Sequence, residues 1–397
     1  MNPRELLDKK WPLLGLINGA TFVTLCTLIG YNIANYIAIE NGDGDDNGRN
    51  RWRNEDGEWD PDYRMREEDW TALKIVLCLL VLIIGCVCLI IPARKVWHPT
   101  TGSVTKVPVG VLSALQFMFG QMLFISYWFL SDFQVQEEEE NNENQDENDD
   151  AYQMTEEELL AYYQRITRNV LIVMALIHLV TSAYLFDWGR KLSSSSPASE
   201  SLTTEKTGHI GLFRDVWKFF SYLSLGILSL QTLRTVYWFF GPGGDRMREE
   251  GLIYNHFLVT LSALMLTAIT CFVGNRVLVK KTWTDPLVVG ALGGCYMGLG
   301  LTFFMLFLIY MAEEMPISVS LSVCAFFLFT LDTFVGGLIL KYSDAILADI
   351  SEDSDNVGSD YQTMETPTAP EEQLSDSEYV KEFDEEGGDV QMQEKIV

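Results

Sequence analysis

Residues 286–312 read PLVVGALGGCYMGLGLTFFMLFLIYMA, an apolar run without one charged side chain. As a helix rising 1.5 Å per residue it spans roughly 40 Å, more than the ~30 Å hydrocarbon core of a bilayer. Within it, Gly290, Gly294 and Gly298 recur every fourth residue, with Gly293 and Gly300 beside them. That spacing lays a flat stripe along one helix face and lets another backbone approach closely. Gly336 and Gly337, in the next apolar run, are the natural partners within the chain; a second membrane protein is the other occupant the stripe would fit.

Seven more stretches have the same character. The expected spans are about 11–39, 71–93, 108–130, 169–186, 217–240, 252–277, 286–312 and 316–340. An outer-membrane-type β-barrel would need alternating segments about half as long, and that pattern is absent. The expected fold is all-α: an eight-helix transmembrane bundle over residues 1–341, with acidic disordered loops and an acidic disordered tail over 342–397. The first apolar run is longer than the 7–15 residues of a cleaved signal peptide, so it reads as a signal anchor.

Composition agrees with a chain of blocks. Of 397 residues, 48% are apolar, and the formal net charge is −27. Three segments hold the acidity: 41–69 with net −6, 132–168 with net −11, and 342–397 with net −15. Runs such as Glu137 to Asp150 bury no core and read as solvated chain, with cation capture or contact with a basic partner as the functional alternatives. Asp43, Asp45 and Asn47 open like an EF-hand loop, but Asn54 stands where the closing Glu belongs. The acidity excludes nucleic acid as a partner, which requires clustered Lys and Arg. Thr155 with Glu158 forms a capping box, so a helix is expected to start near Glu156 and run into the fourth span.

Basic residues orient the chain. Arg4, Lys9, Lys10, Arg94, Lys95, Lys106, Arg190, Lys191, Arg276, Lys280, Lys281 and Lys341 fall on alternate connections, which places both termini in the cytoplasm by the positive-inside rule. Trp11, Trp70, Trp97, Trp128, Trp188, Trp217 and Trp238 lie near the expected interfaces, as in an aromatic belt. All seven cysteines fall inside spans, and no Asn-x-Ser/Thr sequon occurs. An exoplasmic disulfide framework and an N-glycan are therefore not expected.

Ionisable and polar side chains inside spans mark sites by default. The candidates are Asp332, Arg234, His178, His256 and Gln116. Spans five and eight enter from opposite sides, which sets Arg234 and Asp332 at different depths and argues against a direct ion pair. Asp332 has Gln116 and Asn18 at its own depth; Arg234 can reach outward to Glu313 or Glu314. These groups serve either as interhelical hydrogen bonds or as a proton- or ion-coupled transport site. Transporters commonly carry an internal repeat, and no four-plus-four repeat is visible in the sequence. No HExxH, GxSxG, P-loop or dinucleotide fingerprint occurs, and four scattered His form no metal cluster; the chain reads as non-enzymatic, with no cofactor and no metal.

The tail carries Tyr361-Gln-Thr-Met364, a tyrosine separated by two residues from a bulky apolar side chain. This is the form that clathrin adaptors read as an extended peptide. Ser351, Ser354, Ser375 and Ser377 sit among acids and are candidate phosphorylation sites.

Eight spans in about 400 residues, cytoplasmic termini and a charged tail bearing Tyr361 to Met364 together resemble the herpesvirus envelope protein glycoprotein M and, more loosely, the multi-span envelope proteins of fish herpesviruses. The resemblance implies a virion-membrane protein that passes through host Golgi, endosomal and plasma membranes and organises envelopment. It departs at the first exoplasmic loop, which lacks the partner-bonding Cys and the glycan site typical of that family.

Overall fold

The computed structural model describes residues 3–42, 67–97, 105–129, 156–192, 208–240, 252–283, 285–311 and 316–349. Its long helices are α1 (Pro3–Gly42), α2 (Glu67–Trp97), α3 (Lys106–Phe129), α4 (Glu156–Lys191), α5 (Gly208–Phe240), α6 (Leu252–Gly274), α7 (Pro286–Met311) and α8 (Pro316–Lys341). Among the described residues there is no strand. Among the described residues, seven helices are long and apolar enough to cross a membrane: Leu14–Ala34, Ile75–Arg94, Lys106–Trp128, Arg165–Lys191, Phe257–Val279, Pro286–Met311 and Val319–Lys341. Helix α5 falls short of that composition because Lys218, Gln231, Arg234 and several hydroxyl side chains interrupt it. The chain is thus a multi-pass membrane protein. Its outward faces carry large apolar side chains such as Leu16, Val180 and Leu230, each about two-thirds exposed. In water such a surface would be a liability; hydrocarbon is its matching solvent.

Helices α3 and α7 form the interior. Helix α3 packs on α2, α4 and α7, and α7 packs on α8, α3, α2 and α6. The two run parallel with their N-terminal ends together. A Cβ at Gly110 would lie 2.1 Å from the Leu287 carbonyl oxygen, and one at Gly290 would lie 2.1 Å from the Val107 oxygen. Both contacts are backbone against backbone, so only glycine fits at either position. Farther along, Gly294 meets Val111 and Ala114, Gly298 meets Met118, and the Ser126 hydroxyl lies 3.4 Å from Met305 Sδ. The glycine stripe of α7 therefore packs on α3, not on Gly336 and Gly337. Gly336 faces Gly293 and Met297 on a different side of α7, and Gly337 has nothing within 4 Å. Four-residue spacing guarantees a close approach but does not name the partner.

The reciprocal Gly110 and Gly290 contacts belong to an internal repeat that relates α1–α4 to α5–α8. Gly120 sits against Leu179 and the Ala175 oxygen; Gly300 sits against Thr333 and the Phe329 oxygen. Ser113 and Ser182 exchange hydroxyl-to-carbonyl hydrogen bonds of 2.9 and 2.7 Å across α3 and α4. The equivalent α7–α8 crossing has Gly293 and Gly336. Cys86 of α2 approaches the Asn18 oxygen at 3.4 Å, and Cys271 of α6 approaches the Ser221 oxygen at 3.5 Å. These pairs map α1 to α5, α2 to α6, α3 to α7 and α4 to α8. Because α3 and α7 are parallel, the pseudo-dyad runs along the helix axes. The sequence shows no four-plus-four repeat because the repeat resides in contacts, and little of it survives as residue identity.

Two other expectations change. Trp217 is not at an interface; it is 1% exposed and packs in a core with Phe213, Tyr296 and Val335. Helical structure also continues past Lys341, with a turn at Tyr342 and helix over 343–349. Ile346 packs in the same core. The Asp349 carboxylate pairs with Arg214, and with Lys281 at 3.1 Å. A π-helical turn, Asn275–Val279, ends α6 and delivers Lys281 to that pairing.

The reciprocal glycine contact makes a prediction about stability. Gly290→Ala should force backbone displacement at Val107 and cost about 1–3 kcal/mol, the range for overpacking. Gly337→Ala should be neutral or slightly stabilising, since it gains helix propensity into open space. Thermal melting of the nanodisc-reconstituted variants separates the two.

Candidate functional site

Each half of the molecule buries one polar cluster, and the pseudo-dyad places the two at equivalent positions. In the first half, α1 supplies Asn18 and Thr21, three residues apart and so on one face. Helix α3 supplies Gln116 and α4 supplies His178; all four are buried. Gln116 Nε2 donates to Asn18 Oδ1 at 2.8 Å. Gln116 Oε1 accepts from His178 Nδ1. His178 Nε2 then accepts from the Thr21 hydroxyl at 3.0 Å. One neutral imidazole satisfies the whole chain of donors and acceptors. Phe119 packs edge-on against the ring, with centroids 4.8 Å apart.

In the second half, α5 supplies Ser221 and Ser224 with the same three-residue spacing. Helix α7 supplies Tyr296 where α3 has Gln116, and α8 supplies Asp332 where α4 has His178. The Ser224 hydroxyl donates to Asp332 Oδ1 at 3.1 Å. The Tyr296 hydroxyl receives the Trp217 indole N–H at 3.1 Å and shares a 2.7 Å hydrogen bond with Ser221. Cys271 Sγ lies 3.9 Å from that hydroxyl. Asp332 is 1% exposed, and its Oδ2 has no hydrogen-bond partner.

The pairing expected for Asp332 is therefore corrected. Gln116 and Asn18 bond to each other and to His178, because the dyad separates the two clusters into different four-helix halves. Arg234 and Asp332 do not pair: Arg234 Nη1 donates to Ser320 Oγ at 2.6 Å, two helical turns or more from the carboxylate. Glu313 and Glu314, the side chain of His256, Tyr361, Met364 and the candidate phosphorylation sites Ser351, Ser354, Ser375 and Ser377 lie outside the described residues. Among the described residues, no three His, Cys, Asp or Glu side chains converge to hold a metal. All seven cysteines are free.

The sequence reading missed Trp217, Ser221, Ser224, Cys271 and Tyr296. A signal was present: Tyr296 interrupts a glycine-rich apolar run, and Ser221 and Ser224 repeat at helical spacing. That Ser224 reaches Asp332 while Ser221 and Trp217 meet Tyr296 required the fold. Compared with known protein families, curated proteins and solved structures, the chain matches none.

The first cluster is a measurable interhelical lock. A double-mutant cycle between His178→Ala and Gln116→Ala should return a coupling of about 0.5–2 kcal/mol, the scale of hydrogen bonds between membrane helices. Additive single-variant losses in thermal melting would remove the lock.

Proposed function

We propose that this chain is a non-enzymatic, membrane-organising protein of a viral envelope. In this reading it crosses the bilayer eight times, keeps both termini on the cytoplasmic side and circulates among Golgi, endosomal and plasma membranes. The observation that carries it is the sealed dyad. A parallel-repeat carrier places its pathway between the halves, whereas here α3 and α7 touch backbone to backbone at Gly110 and Gly290 and stay in contact as far as Ser126 and Met305. Such a bundle suits holding shape and presenting charged surfaces better than alternating access.

The eighth crossing rests on the repeat. Helix α5 is the counterpart of α1, which is apolar enough to span. It runs antiparallel to α8, through Ser224 on Asp332, Gln231 on Cys324 and Arg234 on Ser320. Eight crossings put both termini on one face, and the basic residues of alternate connections favour the cytoplasmic one. The segments of net charge −6 and −11 then lie on the exoplasmic side and the −15 tail lies in the cytosol, where Tyr361 and Met364 are accessible to clathrin-adaptor-type proteins.

One observation favours a second reading, a proton- or ion-coupled carrier: a buried Asp332 in a molecule built from an internal repeat. The two readings make opposite predictions. Under the organising role, Tyr361→Ala shifts the steady-state distribution toward the cell surface while the membrane core folds normally, and the native protein co-fractionates with enveloped particles on a density gradient. An unchanged distribution, together with absence from particles, sinks that role. Loss of ion-driven uptake in Asp332→Asn proteoliposomes, with trafficking intact, establishes the carrier instead.

A further inference from the structure

Asp332 is a buried carboxyl group on a membrane-spanning helix, and among the described residues no basic side chain pairs with it. Arg234 is engaged with Ser320. The groups that meet Asp332 and Tyr296 are hydroxyls, a thiol and an indole: Ser221, Ser224, Cys271 and Trp217. Leaving an ionised carboxylate there without a countercharge is costly.

The first half of the molecule shows what the second half has changed. His178 reaches Thr21 through one ring nitrogen and Gln116 through the other, so a single side chain bridges α1 and α3. Asp332 occupies the equivalent place on α8 and is shorter. One oxygen reaches Ser224, the counterpart of Thr21, as the His178 ring does. The other makes no bond to Tyr296, the counterpart of Gln116. Tyr296 bonds to Ser221 and Trp217 instead. The second cluster thus brings one carboxylate and three hydroxyl oxygens to the join of α5, α7 and α8, with one carboxylate oxygen left over.

We infer that Asp332, with the hydroxyls of Ser221, Ser224 and Tyr296, forms a site for a single monovalent alkali cation of the sodium class. The donor chemistry fits: carboxylate and hydroxyl oxygens are hard ligands, suited to hard cations. The charge count decides the valence. One carboxylate and neutral hydroxyls cancel one positive charge, while a divalent ion would leave net charge in hydrocarbon. The first cluster has no carboxylate and every member bonded, so it is not a second such site. A cation here would tie α8 to α5 and α7, the task His178 performs for α4, α1 and α3. This inference is independent of the membrane-organising role, since it concerns the membrane core alone.

The test uses the full-length chain in nanodiscs, melted in sodium chloride replaced stepwise by choline chloride at constant ionic strength. The wild type should melt higher as sodium rises, along a saturating curve, because a ligand that binds only the folded state stabilises it by mass action. Asp332→Asn should melt at a temperature independent of sodium. Ser224→Ala, which deletes one hydroxyl and keeps the carboxylate, should need about tenfold more sodium for half-saturation, the equivalent of one lost ligand contact. His178→Gln should keep the wild-type sodium response, because its cluster is in the other half. A wild-type melting temperature that does not distinguish sodium from choline overturns the site. So does a Ser224→Ala curve that coincides with wild type, and this variant decides the matter if Asp332→Asn fails to fold. Failure of the site would leave the trafficking outcome of Tyr361→Ala untouched.

Discussion

Two helix backbones can touch only where one of them lacks a side chain at the contact, and the molecule is organised around a reciprocal pair of such touches. Gly110 on α3 and Gly290 on α7 each face the other helix's carbonyl. Lipid offers no hydrophobic drive to bring spans together, so van der Waals contact at close range must hold them. Once α3 and α7 are pressed together in parallel, their N-terminal ends coincide, and Lys106 reaches Asp285 at 3.5 Å across that end. Helices α4 and α8 then take equivalent grooves on opposite flanks. The two polar clusters form inside the halves, between the first, third and fourth helices of each. The placement of His178 and Asp332 is a consequence of where the glycines are.

The two halves share a frame and differ in chemistry. Each first helix offers two polar groups three residues apart, Asn18 with Thr21 and Ser221 with Ser224, and each second helix sends a cysteine toward the backbone of the first. The fourth helix then offers imidazole in one half and carboxylate in the other. The imidazole closes a network in which every member is hydrogen-bonded. The carboxylate leaves one oxygen over, while its neighbours Tyr296 and Trp217 satisfy each other. In a low-dielectric setting, the closed network rigidifies its half. The other leaves one buried carboxyl oxygen without a hydrogen-bond partner among the described residues.

Much of this was legible from the residues, in proportion to how locally it is encoded. A span depends on its own apolar content, so seven were readable from composition, and the helix that starts at Glu156 was readable from its capping box. The glycine stripe announced a close contact but not its partner, because small residues specify distance and not identity. The repeat was illegible because the contacts that preserve it need only small size or burial. Between α3 and α7, Val109, Gly110, Leu112, Gly120 and Phe124 find the same residue type at the equivalent places, Val289, Gly290, Leu292, Gly300 and Phe304, while the polar positions differ outright. Asp332 stood out as a buried charge, yet its partners come from helices far away in sequence, and depth alone pointed to the wrong half. The helix over 343–349 escaped because acidic composition masked Tyr342, Ile346 and Leu347, which pack against the membrane core.

Helix α5 shows why average apolarity and membrane fitness can part. Averaging over all sides of a helix gives equal weight to the face against protein and the face against lipid. On α5 the buried positions are Ile210, Phe213, Trp217, Ser221, Ser224, Leu228 and Thr232, a stripe of three- and four-residue steps that includes three hydroxyls. The opposite face carries Phe219, Leu230, Leu233 and Tyr237, each about two-thirds exposed. Its counterpart α1 buries Leu14, Asn18, Thr21, Leu25 and Leu28 in the same order. Both helices therefore present an apolar outer face, and the extra polarity of α5 turns inward, toward Asp332, Tyr296 and Ser320. Polarity turned toward partners leaves the outer face of a helix apolar and records where the interior has chemistry to hold.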